Sequence, residues 1–211
     1  MNISRRSTRL AAAVAVVSLF MVGAASSAAA SDSRAEVSLM GGIQALNQND
    51  TALPDQFVTI PAVATVTYRV TPRVAAEGEF TWMIPVKQSV DTGSGTSQDL
   101  KTADILVYQA NLRVDFPVSA WTPYLVAGAG AATFLSNTDA DRVPQLDQSE
   151  TAFAINFGAG LTYGLTERLG LRADVRELVA FPSEGTAGLS NTNGADQIWM
   201  ERGTVGLLYR F

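Results

Sequence analysis

The residues able to do chemistry are few and of one kind. Two carboxylate pairs stand out, Glu77/Glu79 and Asp139/Asp141, each spaced two residues apart. That spacing puts both side chains on one face of a strand, where they could share a proton or divide the roles of general acid and base. The chain has no histidine and no cysteine, so an imidazole-activated hydroxyl and thiolate chemistry are excluded. Arginine stands at matching positions. Arg69, Arg113, Arg172, Arg176, Arg202 and Arg210 share the polar parities of their segments with Glu77, Glu79, Asp115 and Asp174. The first carboxylate pair therefore reads as part of a paired charge set, not as a poised acid and base. The second lies in N-T-D-A-D-R-V-P-Q-L-D-Q-S-E, with Asp147 and Glu150 beyond it. It imitates a calcium loop but lacks the glycine at position six and the ligand at position five, so it reads as a solvated acidic loop. The G-A-G runs at Gly128–Gly130 and Gly158–Gly160 open no helix and make no phosphate cradle. No catalytic group, cofactor site or metal site emerges.

The elements that must position these charges follow a period of two. The last eleven residues, Glu201 to Phe211, set Gly203, Val205, Leu207, Tyr209 and Phe211 against Arg202, Thr204, Gly206, Leu208 and Arg210. Similar alternation predicts strands over Glu36–Ala45, Ala64–Val70, Val74–Ile84, Tyr108–Phe116, Pro123–Phe134, Phe153–Tyr163 and Leu169–Arg176. The register of the fifth is open, because Gly128 to Ala131 are small on both faces. Pro61 and Pro85 fall at strand ends, where a missing donor costs little. Eight strands result, joined alternately by long polar loops and by turns of a few residues. The loops are Asn47–Gln56, Lys87–Asp104, Ser136–Glu150 and Pro182–Asp196.

The first thirty residues are not part of this pattern. Arg5, Arg6 and Arg9 precede an apolar run from Leu10 to Ala25, and Ala28-Ala29-Ala30 offers a cleavage site. This predicts a secretory signal peptide at 1–30 and an exported domain at 31–211. Without the leader the charge is −8, which disfavours nucleic acid. The four loops hold eleven acids against three bases and so carry that whole excess. Beyond the leader no apolar run is long enough for a membrane helix. Alternating strands that place charge on one face and apolar residues on the other suit a barrel in lipid, where a midplane Arg or Lys facing outward costs about 2–4 kcal/mol.

Tyr68-Arg69-Val70-Thr71-Pro72-Arg73-Val74, Thr122 to Gly130 and Gly158 to Leu169, together with the terminal aromatic strand, resemble the small eight-stranded outer-membrane β-barrel family, the OmpA/OmpX-like, opacity-type group. The resemblance spans the mature chain. It implies an all-β, eight-stranded, antiparallel, up-and-down transmembrane barrel in the cell outer membrane; the chain is expected to depart from some relatives in having no peptidoglycan-binding domain after the barrel. It also implies that Leu207, Tyr209 and Phe211 form the C-terminal signal read by the barrel-assembly machinery. The partners implied are outer-membrane lipid and lipopolysaccharide, with a monomeric chain. The barrel enzymes of this compartment rely on histidine, so an enzyme is disfavoured. The function expected is a structural or surface-interaction role, through acidic external loops over a charge-plugged lumen. The alternatives are a small channel or solute-specific pore, a barrel enzyme, and a soluble lipocalin-like carrier with its apolar face turned inward.

Overall fold

A computed structural model of the chain describes residues 34–47, 57–91, 97–137, 147–182 and 197–211. The leader read at 1–30, Asp139 and Asp141 lie outside the described residues. Among the described residues ten strands form: β1 (Ala35–Asn47), β2 (Phe57–Arg69), β3 (Val74–Pro85), β4 (Gln88–Asp91), β5 (Ser97–Leu100), β6 (Ile105–Asp115), β7 (Trp121–Phe134), β8 (Glu150–Gly164), β9 (Leu169–Phe181) and β10 (Ile198–Arg210). Eight of them close an antiparallel barrel in the order β1-β2-β3-β6-β7-β8-β9-β10. The ring is sealed by β1 against β10, from Glu36 opposite Arg210 to Asn47 opposite Trp199. The eight-stranded barrel expected from the alternation is the fold observed.

Three local expectations are corrected. The loop read at Lys87–Asp104 contains the hairpin β4–β5, a separate two-stranded sheet. Its strands are four residues each and largely polar, too short for a period to show. Pro61 is not at a strand end but is the fifth residue of β2. It stays paired with β3 opposite Met83, while the β1–β2 register breaks between Gly41–Ala62 and Gln44–Thr59. Proline cannot donate to the ladder, and the gap falls on the side where its donor is missing. Finally, β9 continues past Arg176 to Phe181 and β10 begins at Ile198.

The outer wall is apolar. Leu39, Val66, Phe80, Trp82, Leu112, Phe157, Leu171, Val175, Val205 and Leu207 are all exposed there. Aromatic pairs stand at both ends: at the short turns Trp121 packs on Tyr163 with ring centroids 4.4 Å apart and Tyr209 meets Phe211 edge-on at 5.0 Å, and toward the long loops Phe153 meets Phe181 at 6.0 Å. Leu112→Arg is expected to weaken the folded barrel in lipid vesicles by about 2–4 kcal/mol. A urea titration of refolded protein measures it, and an unchanged midpoint would place Leu112 off the lipid face.

The lumen has two layers. Toward the short turns it is filled by charge. Toward the long loops it is apolar: Met83, Ile105, Val107, Ala132, Phe134, Ala152, Ala154, Leu178, Ala180, Ile198 and Met200 form one buried cluster, with Ala103 from the end of the second loop folded onto it. Charged side chains inside and apolar ones outside are the reverse of a lipocalin-like carrier.

Candidate functional site: the charged layer of the lumen

Each charged side chain of the layer stands on the inward parity of its strand, because the pleat sends successive residues to opposite faces. Glu77 and Glu79 come from β3, Arg113 and Asp115 from β6, Arg172, Asp174 and Arg176 from β9, and Arg202 from β10. All eight are buried. Arg69 and Arg210 stand at the rim and are partly exposed.

Glu77 is the centre of the layer. Its Oε2 accepts from Arg172 Nη1 at 2.7 Å and from the Thr67 hydroxyl at 2.9 Å. Its Oε1 accepts from Arg176 Nη2 at 2.8 Å and from Asn111 Nδ2 at 3.4 Å. Glu79 lies between Arg176 Nη1 at 3.0 Å and Arg202 Nη2 at 2.8 Å, and Arg202 Nη1 also donates to the Thr81 hydroxyl at 2.7 Å. Asp174 collects Arg172 at 3.2 Å, Arg176 at 3.0 Å, the Tyr124 hydroxyl at 3.0 Å and the Thr204 hydroxyl at 3.0 Å. Arg113 binds Asp115, its neighbour two residues on, at 2.6 Å.

Two members of the layer escape a reading of the sequence. Glu36, on β1, is buried and joins Arg69 at 2.6 Å, Arg113 at 3.6 Å and Arg210 at 3.8 Å. Arg69 stands on β2, the neighbour of the β3 strand that carries Glu77 and Glu79. Its carboxylates are instead Glu36 and Asp115, the latter at 3.6 Å. With Glu36 included, all six arginines and five acids connect from Arg210 at the rim to Arg202 below the apolar cluster. The second is Tyr124. The guanidiniums of Arg113 and Arg172 both stand over its ring, 4.5 Å and 5.0 Å from the centroid. Its hydroxyl accepts from Arg172 Nε at 2.8 Å while donating to Asp174.

Gly160 makes room for that ring. A Cβ on Gly160 would collide with Cζ and the hydroxyl of Tyr124. Gly160→Val should therefore drive Tyr124 out of the layer and destabilise the barrel by about 1–3 kcal/mol, the usual cost of overpacking. An unfolding titration in detergent reads the effect, and an unaltered midpoint would mean that the ring is not locked.

The chemistry of this arrangement is electrostatic. Buried guanidinium and carboxylate groups are tolerated when each is paired and hydrogen-bonded, and such networks become stronger where water is scarce. Glu77 and Glu79 are both committed to arginines, so neither is arranged as a general base facing open space. Among the other sequence-predicted residues, Leu207, Tyr209 and Phe211 lie on the exposed outer face, and the Phe211 N–H donates to the Ala35 carbonyl at 3.0 Å, across the β1–β10 seam. Asp147 is exposed, and Glu150 opens β8. Neither approaches the lumen layer.

Comparison with known proteins places the architecture. Residues 12–211 match the family model described as outer membrane protein beta-barrel domain. Among solved structures, Neisserial surface protein A aligns with a TM-score of 0.56 at 13% identity, over 84% of this chain and 97% of that one. The N-terminal β-barrel domain of OprF from Pseudomonas aeruginosa aligns with a TM-score of 0.48 at 16% identity, over 82% and 97% of the two chains. Ail, the attachment invasion locus protein of Yersinia pestis, gives 0.46 at 16% identity, over 84% and 99%. At 13% identity the likeness to Neisserial surface protein A is one of fold. No curated protein matches the chain by sequence.

Proposed function

The chain belongs to the family of outer-membrane β-barrel domains, and from that premise we propose that it is a sealed envelope scaffold that presents acidic loops at the cell surface. The observation that carries this reading is the filled lumen. A layer of paired charge and a layer of apolar side chains lie in series across it. An eight-stranded barrel is only just wide enough for its side chains, and here both layers supply bulky ones. The channel reading needs a continuous wet path, and the barrel-enzyme reading needs a free acid or base in a cleft. The geometry favours neither.

In this reading residues 1–30 direct export and are removed, and 31–211 form the barrel. The terminal strand with Leu207, Tyr209 and Phe211 engages the assembly machinery, and a single copy then sits among lipid and lipopolysaccharide. The four loops, eleven acids against three bases, form the contact surface, since binding residues normally ride on loops held by a rigid frame. Asp139, Asp141, Asp147 and Glu150 lie in one of them, and partners that present cations fit their charge.

A deletion strain tests the proposal when it is complemented with two forms of the gene, full-length and loop-shortened. Loss of the protein should sensitise cells to detergent. The loop-shortened barrel should restore resistance but not the binding of a cationic reporter protein to the cell surface. Cells that lack the protein yet keep both detergent resistance and reporter binding would contradict it.

A further inference from the structure

The two ends of the barrel differ in more than loop length. Two of the three short turns are built alike: Val70-Thr71-Pro72-Arg73-Val74 and Leu165-Thr166-Glu167-Arg168-Leu169. In each, the threonine hydroxyl accepts from the backbone N–H groups two and three residues on. The distances are 3.3 and 3.0 Å for Arg73 and Val74, and 3.3 and 2.9 Å for Arg168 and Leu169. The N–H groups of the first two residues of each turn are also bonded alike, to the carbonyls of Val74 and Leu169. A fixed backbone thus holds an exposed arginine at the same place in both turns, and an exposed apolar residue, Val70 or Leu165, opens each.

These arginines are unlike those of the lumen. Among the described residues, no carboxylate pairs with Arg73 or Arg168, whereas every lumen arginine has a carboxylate partner. Glu167 is the one exposed acidic side chain among the described residues of this end, and Arg34 adds a further exposed cation. The opposite rim carries the acidic loops.

The outer wall shows how deep this end sits. On the lipid-facing parity the first carboxylates are Glu201 and Glu177, directly opposite each other on β10 and β9. They mark where the apolar belt gives way to polar side chains, with the aromatic pair Phe153 and Phe181 standing just beyond, as at an interfacial girdle. From Glu201 to Phe211 the chain advances ten residues. At ~3.4 Å per residue and a tilt of ~40° this is about 26 Å along the barrel axis, against about 25 Å for the apolar band of such barrels. The other boundary therefore falls at Phe211 and at the turns themselves, where Val70, Val118 and Leu165 are exposed.

We propose that Arg73 and Arg168 are two binding points for the headgroup phosphate of anionic glycerophospholipids in the periplasmic leaflet. The proposal rests on the outer-membrane reading, in which the short turns face the periplasm. The β2–β3 and β8–β9 turns lie on opposite sides of the ring, separated by β6–β7 on one side and by β10–β1 on the other, so each takes its own lipid. The apolar turn residue meets the top of the acyl region while the arginine reaches the phosphate, as long cationic side chains do at a membrane boundary.

The test uses the intact barrel reconstituted with equal phosphatidylglycerol and phosphatidylcholine. Lipids retained after mild detergent extraction are counted by native mass spectrometry. Phosphatidylglycerol should be retained preferentially, by up to about fivefold at each arginine, the ratio equivalent to ~1 kcal/mol per cation near an anionic surface. The preference should fall toward parity in the R73Q/R168Q double variant. No preference in the unmutated protein, or an undiminished one in the double variant, would overturn the proposal. Protection of the strands from protease in the same vesicles, checked for both forms, tests membrane insertion separately.

Discussion

Glu77→Ala is expected to destabilise the barrel by about 3–5 kcal/mol, the usual cost of removing one partner from a buried ion pair. Two guanidiniums lose their shortest carboxylate contacts at once, Arg172 at 2.7 Å and Arg176 at 2.8 Å. Arg176 keeps Glu79 and Arg172 keeps Asp174, so the barrel should still form, but with an uncompensated charge in its centre. A pair on a protein surface would cost only about 0–1 kcal/mol when broken, and this contrast makes the measurement decisive. Replacing Glu77 and Arg172 together should recover part of the loss, because the charge and its partner leave together. Urea titrations in vesicles of the two single variants and the double variant yield the coupling. Additive losses would mean that Glu77 and Arg172 do not act as a pair.

The second large effect concerns the order of the two layers. With the charged layer alone as the barrier, E77A/E79A would open a leak. The apolar cluster above it changes that expectation, since Met83, Ile105, Leu178 and Met200 stay in place. A constriction lined by such residues excludes water and ions by dewetting. E77A/E79A should therefore remain electrically silent in a planar bilayer, and adding M83S/M200S should produce ion conductance. Conductance in E77A/E79A alone would show that the apolar layer is no barrier. Silence of the fourfold variant, folded and inserted, would show that the lumen is blocked elsewhere.

Parity made much of this layer legible. Arg172, Asp174 and Arg176 alternate with Leu171, Ala173 and Val175, and a one-residue slip would expose every one of those charges to lipid. The same logic fails where alternation stops. From Leu178 to Phe181 the chain is apolar on both faces, so the alternation that marks β9 ends at Arg176, and the apolar half of the lumen goes unread. Tyr124 was hidden by the small residues from Gly128 to Ala131, which leave the register of β7 open. In the structure Tyr124, Val126, Ala132 and Phe134 are buried, and this settles the register. Glu36 opens the first predicted strand, where no preceding residue sets its face. Partner choice is the least legible, because closure of the ring brings Glu77 to arginines 95 and 99 residues away. The neighbouring strand β2 offers Arg69, which pairs elsewhere.

The closed lumen is tested most directly by recording the unmutated protein, refolded and purified as a barrel, in a planar lipid bilayer at neutral pH and high salt. The two layers in series predict a quiet membrane with no steady unitary current over repeated insertions. A reproducible open channel, with a fixed conductance in independent preparations, would contradict the sealed scaffold and establish a pore.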